Sequence, residues 1–153
     1  MAKRYYEDFP EDWTETFGPR PITRAEIVAF ASEYDPQPMH LDEEAAKHTV
    51  LGVLCASGWH VCCFMFRMMY DGFIADSASL GSPGVEEMRW RKPVQPGMSL
   101  TLRCTLLDKR ISKSRPDMGL ARMRCELFDE NGAQLATQLS TLLLARRNPE
   151  ASR

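Results

Sequence analysis

Asp35 and His40 stand five residues apart in Tyr34-Asp35-Pro36-Gln37-Pro38-Met39-His40-Leu41-Asp42, which brings a carboxylate, two prolines and an imidazole into one short stretch. Histidine titrates near neutrality, and burial can raise a carboxylate toward the same range. Such a pair can therefore orient a water molecule and move its proton. Pro36 and Pro38 forbid a helix here and hold the segment extended and rigid, so little orienting entropy is left to lose. By spacing alone the pair also admits a helix-terminal carboxylate and a surface histidine.

A second group of residues follows in the uncharged run from Leu51 to Phe66, which carries Ser57-Gly58-Trp59-His60. At the start of a helix the amide of Gly58 is an orphan donor, and the missing side chain lets a substrate carbonyl come close, which suits an enolate-like oxyanion. Ser57 reads as a helix cap rather than a nucleophile, because no GxSxG elbow surrounds it. His60 is open between a satisfied core histidine and a functional one. His40, His48 and His60 match no zinc spacing, so no metal is expected.

These residues need elements to position them. The lead-in, residues 1–16, mixes aromatic, acidic and proline residues and reads as extended, with one strand around Trp13 to Phe17. Thr23 with Glu26 three residues on is a capping box, and Ile27, Phe30 and Ala31 recur at helical spacing; this helix ends near Tyr34, before the prolines. Asp42 caps a short acidic turn through Lys47. The run from Ser57 to Tyr70 is apolar on every face, as a helix wrapped on all sides requires, and Gly72 serves as its stop.

Beyond a Gly/Ser/Pro loop from Ser77 to Gly84, four segments have strand character: Val85 to Trp90, Ser99 to Lys109, Ala121 to Asp129 and Gln134 to Ala145. Asp129-Glu130-Asn131-Gly132 is a hairpin turn. The result expected is a single α+β domain, an antiparallel β-sheet wrapped around a long central α-helix, with a flexible tail over residues 146–153. One sheet layer leaves a face or edge open, which favours a homodimer or dimer-based oligomer.

Composition excludes several classes. The 153 residues include 19 basic and 21 acidic ones, for a net charge of −2, with no long block of either sign, so neither nucleic acid nor a membrane surface is expected as partner. The Leu51–Phe66 run is too short for a bilayer span, and the charged N-terminus is not a signal peptide. Five cysteines, an odd count without a CxxC pair, read as buried thiols in a reducing, cytoplasmic setting.

Asp35-Pro36-Gln37-Pro38-Met39-His40-Leu41-Asp42 resembles the D-x-N-P-x-H-x-D signature of the MaoC-like, (R)-specific enoyl-CoA hydratases. Ala56-Ser57-Gly58-Trp59 lies where that family carries His-Gly-Met. Arg89-Trp90-Arg91-Lys92-Pro93-Val94-Gln95-Pro96-Gly97 is similar to its R-F-x-x-P-V-x-P-G-D strand and turn. The likeness runs from about Phe17 to Leu144.

It implies a hotdog fold, a homodimer with active sites along the subunit interface, and reversible hydration of a trans-2-enoyl-CoA to an (R)-3-hydroxyacyl-CoA without cofactor or metal. Asp35 and His40 would handle the water and the α-carbon proton, and the Gly58 amide would polarise the thioester carbonyl. The departures are Gln37 for Asn, Tyr34 for Gly, Met98 for Asp and the bulky Trp59-His60. Tyr34, Ser57 and Trp59 are thus candidate substrate contacts, with Tyr34 and Trp59 crowding the pocket toward a short, branched or dicarboxylic acyl group. Arg89, Arg91 and Lys92 are open between contacts to CoA phosphates and solvated strand positions. The alternatives are a hotdog thioesterase, which needs a carboxylate near the start of the central helix, and a non-catalytic acyl-CoA-binding module.

Overall fold

Alternation of apolar residues along the second half of the chain builds the sheet, and one apolar helix fills its hollow. A computed structural model describes residues 3–150. The strands are β1 (Thr14–Pro21), β2 (Ser79–Gly81), β3 (Val85–Trp90), β4 (Ser99–Ile111), β5 (Met118–Phe128) and β6 (Gln134–Ala145), and the helices are α1 (Arg24–Tyr34), α2 (Glu43–Ala46) and α3 (Gly58–Met69). All strand pairings are antiparallel, in the order β1-β4-β5-β6-β2, with β3 also paired to β6.

Every second residue of β4 and β5 (Leu100, Leu102, Cys104 and Leu106; Ala121, Met123, Cys125 and Leu127) turns inward and is buried. They meet Val61, Phe64, Met65, Met68 and Met69 of α3 in one connected core. This is the sheet-wrapped helix that the pattern implied.

The local signals hold. Thr23 accepts from the Glu26 amide while Glu26 accepts from the Thr23 amide, the reciprocal cap expected of α1. Asp42 caps α2 through the amide of Ala45 at 2.9 Å. Between β5 and β6, Asp129 Oδ1 accepts from Asn131 and Ala133, and Gly132 takes the positive φ that closes the turn.

Several expectations are corrected. The meander has only three strands, β4 to β6. Strand β3 crosses to the far edge of β6, end to end with β2, a strand inside the stretch expected to be loop. Helix α3 is not wrapped on all sides, because Trp59, Cys63, Phe66 and Tyr70 form an exposed stripe along it. Residues 51–57, the first part of the uncharged run, are irregular.

Gly72 does not stop α3, which runs into a wide π-type turn, Tyr70–Ile74; the glycine leaves room for the Phe17 ring. Of the cysteines, Cys55, Cys104 and Cys125 are buried, Cys62 is half-buried and Cys63 is exposed.

The lead-in is not merely extended. It forms a tight turn at Tyr6–Asp8 and inserts Phe9 and Trp13 edge-on against Phe73. At the other end, the tail expected to be loose from Arg146 is anchored at its start: Arg146 N bonds Asp117 O, and Arg147 N bonds Glu7. Residues 1, 2 and 151–153 of those two segments lie outside the described residues. Among the described residues no helix is long and apolar enough to cross a membrane.

Candidate active site

Asp35 is the residue that ends α1: its amide still bonds Ala31 O, but its φ of −151° and ψ of 70° turn the chain out of the helix. Pro36 enforces the exit. The segment does not stay extended to His40, however. Pro38–His40 is a tight turn closed by the His40 amide on Gln37 O, and it swings the imidazole back toward Asp35.

The irregular stretch before α3 is stitched on both sides, Cys55 N to Met39 O and Ala56 N to Val94 O. It thereby delivers Cys55, Ser57 and Gly58 to the same place as Asp35 and His40.

His40 is 5% exposed. Its Nδ1 lies 2.7 Å from the Cys55 carbonyl oxygen, which can only accept, so the hydrogen sits on Nδ1 and Nε2 carries the lone pair of the neutral ring. Nε2 faces Asp35 Oδ2 at 3.4 Å, longer than a good direct hydrogen bond. Asp35 is tied further: the Ser57 hydroxyl donates to Oδ2 at 2.7 Å and the Gln37 amide to Oδ1 at 2.7 Å. The Ser57 bond, more than any other influence, holds the Asp35 carboxyl below the usual carboxylate range; burial opposes it, and Gln37 and His40 add to the lowering. Asp35 is therefore an anion at neutral pH, with the Nε2 edge of the His40 ring turned toward it.

Both groups line a cavity of about 340 Å³, within the range of small-ligand pockets. Gly58 and Trp59 line it too, as do Trp90, Arg91 and Lys92. Gly58 is the first residue of α3, where the amide has no partner within the helix. Its carbonyl accepts from Trp90 Nε1 at 2.9 Å, and a Cβ there would lie 2.5 Å from the indole. Of the basic residues considered, Arg89 pairs with Glu87, whereas Arg91 and Lys92 are exposed at the cavity.

The Cys55 sulfur is 3.8 Å from His40 Nδ1, but that nitrogen's hydrogen is directed at a carbonyl, and burial pushes the thiol pKa up; this is not an activated nucleophile. Among the described residues no cluster of three metal-ligating side chains occurs.

Two of the residues singled out from sequence stand elsewhere. Tyr34 is 67% exposed, rests on Phe30 and does not line the cavity. Ser57 is fully buried behind Asp35. Its hydroxyl makes no cap for α3 and does not reach the cavity wall, so in this chain it supports the carboxylate rather than a ligand. His60 is buried in the core with its ring stacked on Phe30 at 4.8 Å, and no protein partner for its Nδ1 is found among the described residues. Sequence reasoning overlooked Trp90. The signal was there, an aromatic residue at the end of a strand just before Pro93, but nothing local says that it reaches Gly58.

Residues 8–122 match the model of the MaoC-like domain family. A MaoC-like dehydratase from Rhodospirillum rubrum is 32% identical and superposes with a TM-score of 0.84 over 94% of this chain and 98% of that one. The protein YdeM of Bacillus subtilis is 27% identical over 126 residues, 82% of this chain and 87% of YdeM. The R-hydratase PhaJ1 from Pseudomonas aeruginosa, 18% identical, shares the fold with a TM-score of 0.74 over 95% of this chain and 88% of that one.

Proposed function

The chain belongs to the MaoC-like domain family, and from that premise we propose that it catalyses reversible addition of water to a trans-2-enoyl-CoA, giving an (R)-3-hydroxyacyl-CoA. The observation that carries this reading is the 3.4 Å approach of His40 Nε2 to Asp35 Oδ2 in the wall of a cavity that the first residue of α3 also lines.

A water molecule held between Nε2 and the Asp35 carboxylate has its oxygen free to attack. As that oxygen bonds the β carbon, Nε2 takes the proton, and the electron pair of the double bond moves through the α carbon onto the thioester oxygen. The Gly58 amide stabilises the resulting enolate. The imidazolium, steadied by Asp35, then gives its proton to the α carbon, and the ring returns to neutral. The sum is addition of H and OH, and the reverse sequence is dehydration. Since the thioester already acidifies the α carbon, the chemistry asks for no cofactor or metal; coenzyme A is part of the substrate. Arg91 and Lys92 offer positive charge to its phosphates.

The exposed stripe Trp59, Cys63, Phe66 and Tyr70 supports a homodimer in which the α3 helices of two copies pack together. Free thiols are in keeping with a reducing cytoplasm. A thioesterase is the weaker reading, because the first turn of α3 carries no acidic side chain.

The test is incubation with crotonyl-CoA and longer enoyl-CoAs, following loss of the conjugated-thioester absorbance. Hydration is expected; release of free CoA without it would favour the thioesterase, and binding without conversion a non-catalytic module.

A further inference from the structure

We propose that Trp90 sets the length of acyl chain that the site accepts, by closing the cavity beside Gly58; this rests on the acyl-thioester reading above. Trp90 is the last residue of β3, and with Met88 it shares the strand face opposite Ala136 and Gln138 of β6. Its indole is pinned over the first turn of α3 by the Nε1 bond to Gly58 O and lies against the Gly58 α carbon. Trp59 stands edge-on to it, centroids 6.0 Å apart, so two indoles form one corner of the cavity.

The position matters because Gly58 supplies the amide for the thioester oxygen. An acyl chain extending from that carbonyl along α3 meets the Trp90 ring. The ring is half exposed, and its neighbours are mostly apolar. Ala136, the register partner of Trp90, is fully buried and small; Met88 packs against the core; and Cys62, one turn further along α3, is touched by the indole. Trp90 thus closes the cavity at the start of α3, and a smaller side chain there lengthens it by the space the indole occupies. Short chains fit in front of the ring, and longer ones require its removal.

The experiment compares wild type with Trp90→Ala, Trp90→Leu and Trp90→Phe, using trans-2-butenoyl-CoA and trans-2-octenoyl-CoA. The ratio of kcat/KM for the longer over the shorter substrate is expected to rise about tenfold or more in Trp90→Ala, since methylene-scale changes in an apolar pocket have effects of that size. The rise should be smaller in Trp90→Leu and near nil in Trp90→Phe, which keeps a ring in place.

Calorimetry with saturated butyryl-CoA and octanoyl-CoA measures the same preference as a ratio of Kd values and needs no turnover. If wild type converts neither enoyl thioester but the Kd ratio shifts, the hydratase reading fails and the role of Trp90 stands. If butenoyl-CoA is hydrated and neither ratio moves in folded Ala and Leu variants, the role of Trp90 is overturned. Should Trp90→Ala not fold by circular dichroism, Trp90→Leu decides.

Discussion

Ser57 Oγ donates at 2.7 Å to the same Asp35 oxygen, Oδ2, that lies 3.4 Å from His40 Nε2. A fully buried hydroxyl at the start of α3 thus fixes both the direction and the charge of a carboxylate at the end of α1. Replacing Ser57 with Ala removes the largest influence lowering the Asp35 pKa, so that pKa rises toward the ordinary carboxylate value. The apparent pKa of the acid limb of kcat/KM that belongs to Asp35 is expected to move to higher pH, and a limb that stays in place would contradict the assignment. Stability should fall by about 2 kcal/mol, the size of a hydrogen bond to an ionised group. In wild type the Asp35 contribution is complete above about pH 3.9, its unfolded value, and disappears as pH falls through the lower folded value; in Ser57→Ala this acid-sensitive contribution shrinks.

The pair itself is tested by Asp35→Asn and His40→Ala. Each is expected to lower kcat by about 10² to 10⁴-fold while the circular dichroism spectrum is retained. The double variant should be little slower than the worse single one, because the two groups handle one proton. Full additivity would mean they act in separate steps.

Gly58→Ala would put a methyl group 2.5 Å from the Trp90 ring. The half-exposed indole must swing out and give up its bond to Gly58 O, at about 1 kcal/mol of stability. In a Trp90→Ala background that cost should vanish, so a double-mutant cycle read by thermal melts is expected to show coupling of about 1 kcal/mol.

His60 predicts a second pH window. Burial lowers its pKa and Glu26 only partly offsets this, so the unfolded chain takes up the proton first. Stability present above about pH 6.5 should decline as pH falls below that value and level off once the folded ring protonates. His60→Phe, which preserves the stack on Phe30, is expected to flatten Tm between about pH 7 and pH 5; an unchanged slope would exclude His60 as its source.

Phe66 is 54% exposed in the middle of the α3 stripe. In the proposed dimer it is buried, so Phe66→Asp should yield monomers by light scattering where wild type is dimeric. A monomeric wild type would remove that part of the reading.

Elements with local causes were legible in the chain. The Thr23/Glu26 box, the Asp42 cap and the Asp129–Gly132 turn each act within a few residues, and the strand segments betray themselves by their period. Strand β2 was missed because three residues of Ser, Leu and Gly carry no period. The crossing of β3 to β6 was missed because an apolar alternation says which face is buried, not which neighbour it pairs with.

The site divides in the same way. Asp35 and His40 were readable as a pair because two prolines end the helix between them. The tight turn that swings the imidazole back was not, since the prolines point to an extended segment. Gly58 was readable since it opens an apolar helix. That Ser57 holds Asp35, that Trp90 covers Gly58 and that Tyr34 faces away from the cavity were decided by the tertiary structure alone. The first two contacts span 22 and 32 residues. They exist only because the sheet closes on α3 and carries β3, and the end of α1, to the same turn of that helix.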